Sequence, residues 1–136
     1  MRNTLIDAGP LIALFDRSDS YHLKALSFIE DYGGYLWTTW PVITEATHML
    51  DFSIKSQSAL LKWINRGGIQ LYDLNKSHFD RLIELTEKFR DVPMDLADAS
   101  LIVVSEETKY SEIASIDSDF YVYRDIRNQY LTNVFQ

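Results

Sequence analysis

Two aspartates lie three positions apart in the segment PMDLADASLIVVSE, residues 93–106, whose other side chains are almost all apolar. That composition predicts a buried helix, and an unpaired buried charge is costly. Asp95 and Asp98 would fall about 60° apart on one helical face. A helix cap is one explanation, with Asp95 at the N-cap and Asp98 at the third helical position. Capping explains Asp98 less well, because Glu or Gln reaches back from that position better than Asp does.

Other acids occupy positions at which α/β proteins bind ligands. Asp7 and Asp117 each end a predicted strand, and Glu45 lies at the rim of the apolar stripe of a predicted helix. Each also has an ordinary interpretation. Asp7 could cap the next helix, Glu45 could be a solvated edge residue, and Asp117 with Asp119 could form a turn. The hypothesis of a shared site therefore depends on whether the fold brings them together.

Carboxylates gathered in one pocket would repel one another, and some would be protonated unless a cation held them. Oxygen ligands in a chain without cysteine favour Mg²⁺ or Mn²⁺ over zinc. His22, His48 and His78 show no ligand spacing and are interpreted as surface or rim residues. A site of this kind typically handles phosphates, because the cation holds a substrate oxygen and lowers the pKa of an attacking water.

Short strands alternate with helices, which predicts an α/β fold with a mostly parallel sheet covered on both faces. Ligands bind such sheets at the carboxyl ends of the strands. The predicted strands are Asn3–Asp7, Tyr35–Thr39, one within GGIQLYDL, Glu112–Asp117 and a short one near Tyr121–Tyr123. The predicted helices open at Gly9-Pro10, span Tyr21–Tyr32, open near Pro41, and span Ser56–Asn65, Ser77–Phe89 and the segment 93–106. Their predicted inner faces include Leu23, Met49, Phe79 and Ile83.

The chain of 136 residues, 46% of them hydrophobic, fits one globular domain spanning residues 1–136. Its apolar runs are shorter than the ~18 residues of a membrane span, and Asp7 and Pro10 make the N-terminus a poor signal peptide. We therefore expect a cytoplasmic protein. The net charge of −7 argues against a nucleic-acid partner, unless several acids converge on a bound cation that inverts the local charge.

Four blocks of the chain resemble, in order, the sequence blocks of the PIN-domain family, the metal-dependent ribonuclease fold of VapC-type toxins in toxin–antitoxin pairs. The blocks and their matching acids are LIDAGPLIAL with Asp7, PVITEATHML with Glu45, DLADASLIVV with Asp98, and IASIDSDF with Asp117. Ser115 matches the small hydroxyl residue that stands two positions before the last acid. Each block is short, but four in the right order and spacing form a specific pattern.

This resemblance implies a three-layer α/β/α sandwich with a central, mostly parallel sheet and an endonuclease that hydrolyses RNA to 5′-phosphate and 3′-hydroxyl ends. The implied catalytic residues are Asp7, Glu45, Asp98 and Asp117, of which Asp7, Asp98 and Asp117 would hold one or two Mg²⁺ or Mn²⁺ ions. The implied supporting residues are Asp95, Ser115 and Asp119. A cognate antitoxin and a homodimer are the implied partners, with no membrane association.

RNA binding also needs basic residues, and the sequence offers only scattered candidates: Arg17, Lys24, Lys55, Lys62, Arg66 and Arg124. Three alternatives stay open. The chain could be a PIN-like RNA-processing nuclease without a toxin role, or a non-catalytic binding module. It could also be a phospho-receiver domain, although such domains have an acidic pair after the first strand, where Asp7 is followed by Ala8 and Gly9.

Overall fold

A computed structural model describes residues 1–92, 94–116 and 131–135 of the chain. Its five strands form one sheet in the order β3-β2-β1-β4-β5, and every neighbouring pair is parallel. The strands are β1 (Asn3–Ile6), β2 (Tyr35–Thr38), β3 (Gln70–Leu71), β4 (Glu112–Ala114) and β5 (Thr132–Asn133). The predicted parallel sheet is confirmed, and β1 and β4 end before the acids that were expected to close them.

Within the described ranges, six α-helices and a short 3₁₀ helix lie between the strands. They are α1 (Ala8–Phe15), α2 (His22–Asp31), α3 (Trp40–Met49), α4 (Ile54–Asn65), the 3₁₀ helix Lys76–His78, α5 (Phe79–Lys88) and α6 (Leu96–Thr108). All six predicted helices are confirmed. Among the described residues, no helix is both long and apolar enough to cross a bilayer. Asp117, Asp119, Arg124 and the predicted strand near Tyr121–Tyr123 lie outside the described residues.

The order of the strands gives the three-layer α/β/α architecture. The chain runs outward from β1 through β2 to β3 and then returns across the sheet to β4. Right-handed crossovers place the helices of these two halves on opposite faces of the sheet. α1 packs against α2, α3 and α4, α5 packs against α6, and α3 and α6 also contact each other. This order differs from the 2-1-3-4-5 order of phospho-receiver folds, so the receiver alternative is wrong.

The reversal of direction occurs at β1, which has β2 on one side and β4 on the other. The carboxyl end of the sheet at such a switch point is where open α/β folds bind ligands. Asp7 and Ser115 directly follow β1 and β4. The sheet therefore brings these two side chains to the place where a ligand is expected.

The segment that raised the question of buried charge is buried, as predicted. Every residue of α6 from Ala97 to Ser105 is buried, including Asp98, which is 5% exposed. Leu96, the first residue of the helix, is 55% exposed. Asp98 is thus a carboxylate placed inside the protein by a helix whose remaining faces are core.

Four residues predicted to face inward are exposed instead: Leu23, Met49, Phe79 and Ile83. In α2 the buried residue is Ala25, and Leu23 lies about 160° around the helix from it. In α5 the buried pair is Leu82 and Leu85. Phe79 and Ile83 lie about 90° and 130° around the helix from the midpoint of this pair. In α2 and α5 only one side of the helix packs against the rest of the protein. The buried stripe is therefore narrower than the stripe of apolar residues in the sequence.

The three histidines have different surroundings. His48 is exposed. The His22 ring nitrogen Nδ1 lies 2.8 Å from the Ala13 carbonyl oxygen. The side chain of His78 is only 11% exposed, and its Nε2 lies 2.7 Å from a Glu107 carboxylate oxygen. Two of the three are therefore partly buried and tied into the fold rather than plain surface residues.

Candidate active site

Asp7 stands between the end of β1 and the start of α1. Its backbone N–H donates to the Ala114 carbonyl at 3.0 Å, which continues the pairing of β1 with β4. Its Oδ1 accepts from the Ala8 N–H at 2.8 Å and caps α1, and its Oδ2 accepts from the Ser115 hydroxyl at 3.1 Å. The side chain is buried, with 6% of the residue exposed. The predicted cap is confirmed, and each oxygen of the carboxylate has a donor that fixes its direction.

Ser115 is held in turn by a residue of β5. The Ser115 backbone N–H donates to Asn133 Oδ1 at 3.2 Å, and Asn133 Nδ2 donates to the Ser115 carbonyl at 2.8 Å. This amide thus pairs with both backbone groups of Ser115. Because the Ser115 hydroxyl contacts Asp7, Asn133 orients a candidate site residue from the edge of the sheet.

Asp95 and Asp98 differ in their contacts and in their burial. Asp95 is the N-cap of α6, and its Oδ1 accepts from the Asp98 backbone N–H at 2.8 Å. The Asp95 residue is exposed, whereas Asp98 is 5% exposed. The capping prediction for Asp95 is confirmed. Asp95, rather than the buried Asp98, therefore caps α6.

One cavity collects the acids of three sequence blocks. It has a volume of about 280 Å³, and its lining residues are Asp7, Ala8, Gly9, Ile12, Glu45, Met49, Asp95, Asp98 and Ile116. Glu45 and Met49 reach it from α3. Gly9 eases the close approach of α1 to the residues after β4, because a Cβ there would lie 3.1 Å from the Ile116 Cβ, which is tighter than most Cβ contacts. The fold therefore gathers Asp7, Glu45, Asp95 and Asp98 around a shared space.

The chemistry of this lining fits a hard cation. Its ionisable groups are all carboxylates, and carboxylate oxygens are ligands that Mg²⁺ and Mn²⁺ prefer. Within the described ranges, however, no three His, Cys, Asp or Glu side chains form a group that could hold a metal ion. Side chains can line one cavity without lying close enough together to bind the same ion. Asp117, the remaining acid expected from the sequence, lies outside the described residues.

The described basic residues expected at an RNA-binding rim line other grooves than the acid cavity. Arg17 and Lys55 line a groove of about 860 Å³, and Lys62 and Arg66 line an adjoining groove of about 600 Å³. The two grooves share a floor of side chains from α1, α2 and α4: Leu14, Phe15, Leu26 and Ala59. Lys24 lines a separate cavity with Arg2. The expectation of scattered cations is wrong for these four, which follow one surface.

Two neighbouring threonines at the end of β2 were not singled out by the sequence. Thr38 and Thr39 are both fully buried. The Thr38 hydroxyl donates to the Ile6 carbonyl at 3.0 Å, and the Thr39 hydroxyl lies 2.6 Å from that of Ser100. The available signal was a pair of hydroxyl residues at the end of a strand with apolar neighbours, since buried hydroxyls need partners.

The groups with clearly shifted pKa values, among the described residues, do not line the acid cavity. The Tyr72 hydroxyl hydrogen-bonds to Glu107 near the C-terminal end of α6. That bond raises the pKa of Tyr72 to about 12 and, together with His78, lowers the pKa of Glu107. At the start of β4, Arg2 hydrogen-bonds to Glu112 and lowers the pKa of that carboxyl. These contacts hold helix and strand ends together.

Neither protein families nor curated protein sequences match the chain. Among solved structures, the chain is similar to VapC20 of Mycobacterium tuberculosis, a toxin described as cleaving the sarcin–ricin loop. The TM-score is 0.80 with 14% sequence identity, over 88% of this chain and 93% of that one. A likeness at this identity concerns the fold. The strand order, the cavity at the switch point and this similarity lead to one conclusion: the chain has the fold of a VapC-type PIN domain.

Proposed function

We propose that this chain is an endoribonuclease that hydrolyses RNA phosphodiester bonds with the aid of Mg²⁺ or Mn²⁺. The observation that carries the proposal is the cavity at the switch point, where Asp7, Glu45 and Asp98 arrive from three different elements. Capping accounts for Asp7 and Asp95, but it does not account for Glu45 and Asp98 in the same lining. The similarity to a toxin described as cleaving an RNA loop supports the same reaction class.

In this proposal, Asp7, Asp98 and Asp117 hold the cation, and Glu45 completes the acid set from α3. The bound cation would supply Lewis-acid chemistry, by holding a phosphate oxygen and lowering the pKa of a water. The protein's contribution is orientation. Both oxygens of the Asp7 carboxylate have donors, at 2.8 Å from Ala8 and at 3.1 Å from Ser115. Supporting contacts of this kind tune metal sites.

The net charge of −7 is compatible with an RNA substrate under the same proposal. Acids that hold a cation present positive charge to a phosphate rather than negative charge. Asp95 and Asp119 are proposed as supporting acids, and the cap that Asp95 makes on α6 is the contact that supports its part. The acidic composition therefore does not argue against a nuclease once the cation is counted.

The proposal extends to the biological setting of the fold. We propose that the chain is the toxin of a type II toxin–antitoxin pair, that it acts in the cytoplasm as a homodimer, and that a cognate antitoxin protein restrains it. Because the similar toxin is described as acting on the sarcin–ricin loop, a structured RNA loop is the first substrate to test. A nuclease without a toxin role would cleave RNA but leave growth unaffected.

Cleavage of an end-labelled RNA tests the proposal. The wild type should cut in Mn²⁺ or Mg²⁺, stop in chelator, and leave 5′-phosphate ends. Asp98→Asn should abolish cleavage with the fold intact, whereas Asp95→Asn should keep measurable activity, because Asn caps a helix nearly as well as Asp. Equal loss from both substitutions would put Asp95 among the metal ligands. An inactive wild type would leave a non-catalytic binding module as the better reading.

A further inference from the structure

Two buried hydroxyls connect the helices that carry Glu45 and Asp98. Thr39 immediately precedes α3, and Ser100 lies in the second turn of α6. Both residues are 0% exposed, and their hydroxyl oxygens are 2.6 Å apart. α3 and α6 contact each other, so this polar bond is part of a packed interface between two elements that line the acid cavity.

The direction of the bond follows from what else Ser100 contacts. The Ser100 hydroxyl lies 2.7 Å from the Ala97 carbonyl oxygen, and a carbonyl only accepts. The single proton of Ser100 is therefore used there, and Thr39 must donate to Ser100. The result is a one-way relay from Thr39 through Ser100 to Ala97, the residue before Asp98.

Thr38 extends the connection to the third acid. Its hydroxyl donates at 3.0 Å to the carbonyl of Ile6, the residue before Asp7. The two threonines thus reach from the end of β2 in two directions, to the end of β1 and to the first turns of α6. Asp7 directly follows Ile6, and Asp98 directly follows Ala97, whose carbonyls accept from the Thr38 and Ser100 hydroxyls. Glu45 lies six positions after Thr39.

We propose that Thr39 and Ser100 are positioning residues for the proposed nuclease. They set the separation of the Glu45 and Asp98 helices so that the acids share one cation. Carboxylates around one cavity repel one another, and apolar contacts between the two helices are non-directional. A directional bond between buried groups resists movement of the two helices, because each partner is left unsatisfied when the helices part. The inference rests on the proposed function, since it assigns these hydroxyls to the same acid site.

Substitutions at Thr39 separate positioning from plain packing. Thr39→Val keeps the shape and removes the hydroxyl, whereas Thr39→Ser keeps the hydroxyl and removes a methyl group. We expect Thr39→Val to raise the Mn²⁺ concentration for half-maximal stabilisation, and for half-maximal RNA cleavage, by about 10-fold or more, as loss of a supporting partner does at metal sites. Thr39→Ser should bind Mn²⁺ almost as the wild type does.

A double-variant cycle tests whether the two substitutions act through the same hydrogen bond. Thr39→Val and Ser100→Ala each break the bond, so the Mn²⁺ affinity of the combined variant should fall no further than that of the worse single variant. If Thr39→Val only lowers the melting temperature in chelator and leaves the half-saturating Mn²⁺ concentration unchanged, the hydroxyls are structural and the inference is wrong. A wild type that binds Mn²⁺ without cutting RNA would overturn the proposed function alone, and the Mn²⁺ melts would still decide the inference.

Discussion

Replacing Asp98 by Asn should separate two effects of the acid cavity, which are the repulsion between its carboxylates and the binding of a cation. Asp98 and Asp7 are 5% and 6% exposed and line the same space. Without a cation their like charges destabilise the folded state. Because Asn has nearly the same shape as Asp, Asp98→Asn should melt in chelator at the wild-type temperature or above it. A substitution in a buried helix that fails to destabilise would be unusual, since most core changes destabilise.

Added Mn²⁺ should reverse this ranking. A ligand at ~100 times its dissociation constant stabilises the folded state by about 2.7 kcal/mol. For 136 residues the entropy of unfolding is about 0.3 kcal/mol per kelvin, so the wild-type melting temperature should rise by about 9 °C. Asp98→Asn has lost a proposed ligand and should gain only a small part of that rise.

Thermal melts of four samples make the comparison: wild type and Asp98→Asn, each in EDTA and in Mn²⁺. Asp95→Asn is the matched control, because Asp95 is exposed and its capping bond to the Asp98 N–H survives the change to Asn. It should keep most of the Mn²⁺ gain. If millimolar Mn²⁺ leaves the wild-type melt unmoved, the acids are not a metal site, and capping is the better explanation of the DLAD segment.

Three further predictions concern other parts of the chain. Gly9→Ala places a Cβ 3.1 Å from that of Ile116. The rate of RNA cleavage per folded protein should fall, whereas the melting temperature should change little. Tyr72→Phe removes the main cause of the lowered Glu107 pKa. The stability that this lowered pKa contributes to the wild type is present above the ordinary pKa of 4.5, and it is lost as the pH falls through the lower pKa of the folded state. Urea melts of the two proteins should therefore differ at neutral pH and converge in acid. Expressed without an antitoxin, the wild type should slow growth and Asp7→Ala should not, and equal inhibition by both would point to a cause other than the acid site.

The sequence predicted the elements of the fold because local patterns determine them. Apolar patterns and turn residues located all six helices, and Asp95 located the start of α6 through its cap. The inner faces were less predictable. Leu23 and Phe79 belong to apolar stripes, yet they are exposed because each helix is covered on one side only. How wide a stripe becomes buried depends on the neighbouring elements, which a single helical pattern does not contain.

For the candidate site, the sequence predicted the acids but not the contacts that orient them. Asp7, Glu45 and Asp98 were identifiable because acids beside apolar segments are conspicuous. Thr39 and Ser100 are 61 positions apart and meet only through tertiary packing. Asn133 reaches Ser115 only because β5 pairs with β4. Hydroxyl and amide residues are common in sequences, so their roles emerge only when the fold shows which of them are buried and bonded.

The central claim is that carboxylates from separate elements of this chain jointly hold a divalent cation in the cavity at the switch point. The most direct test is an anomalous difference map from crystals of the wild type grown with Mn²⁺. We expect a peak in the cavity within bonding distance of Asp7 and Asp98, which disappears in Asp98→Asn. The absence of a peak in the cavity, or a peak bound by Asp95 and solvent without Asp98, would contradict the claim.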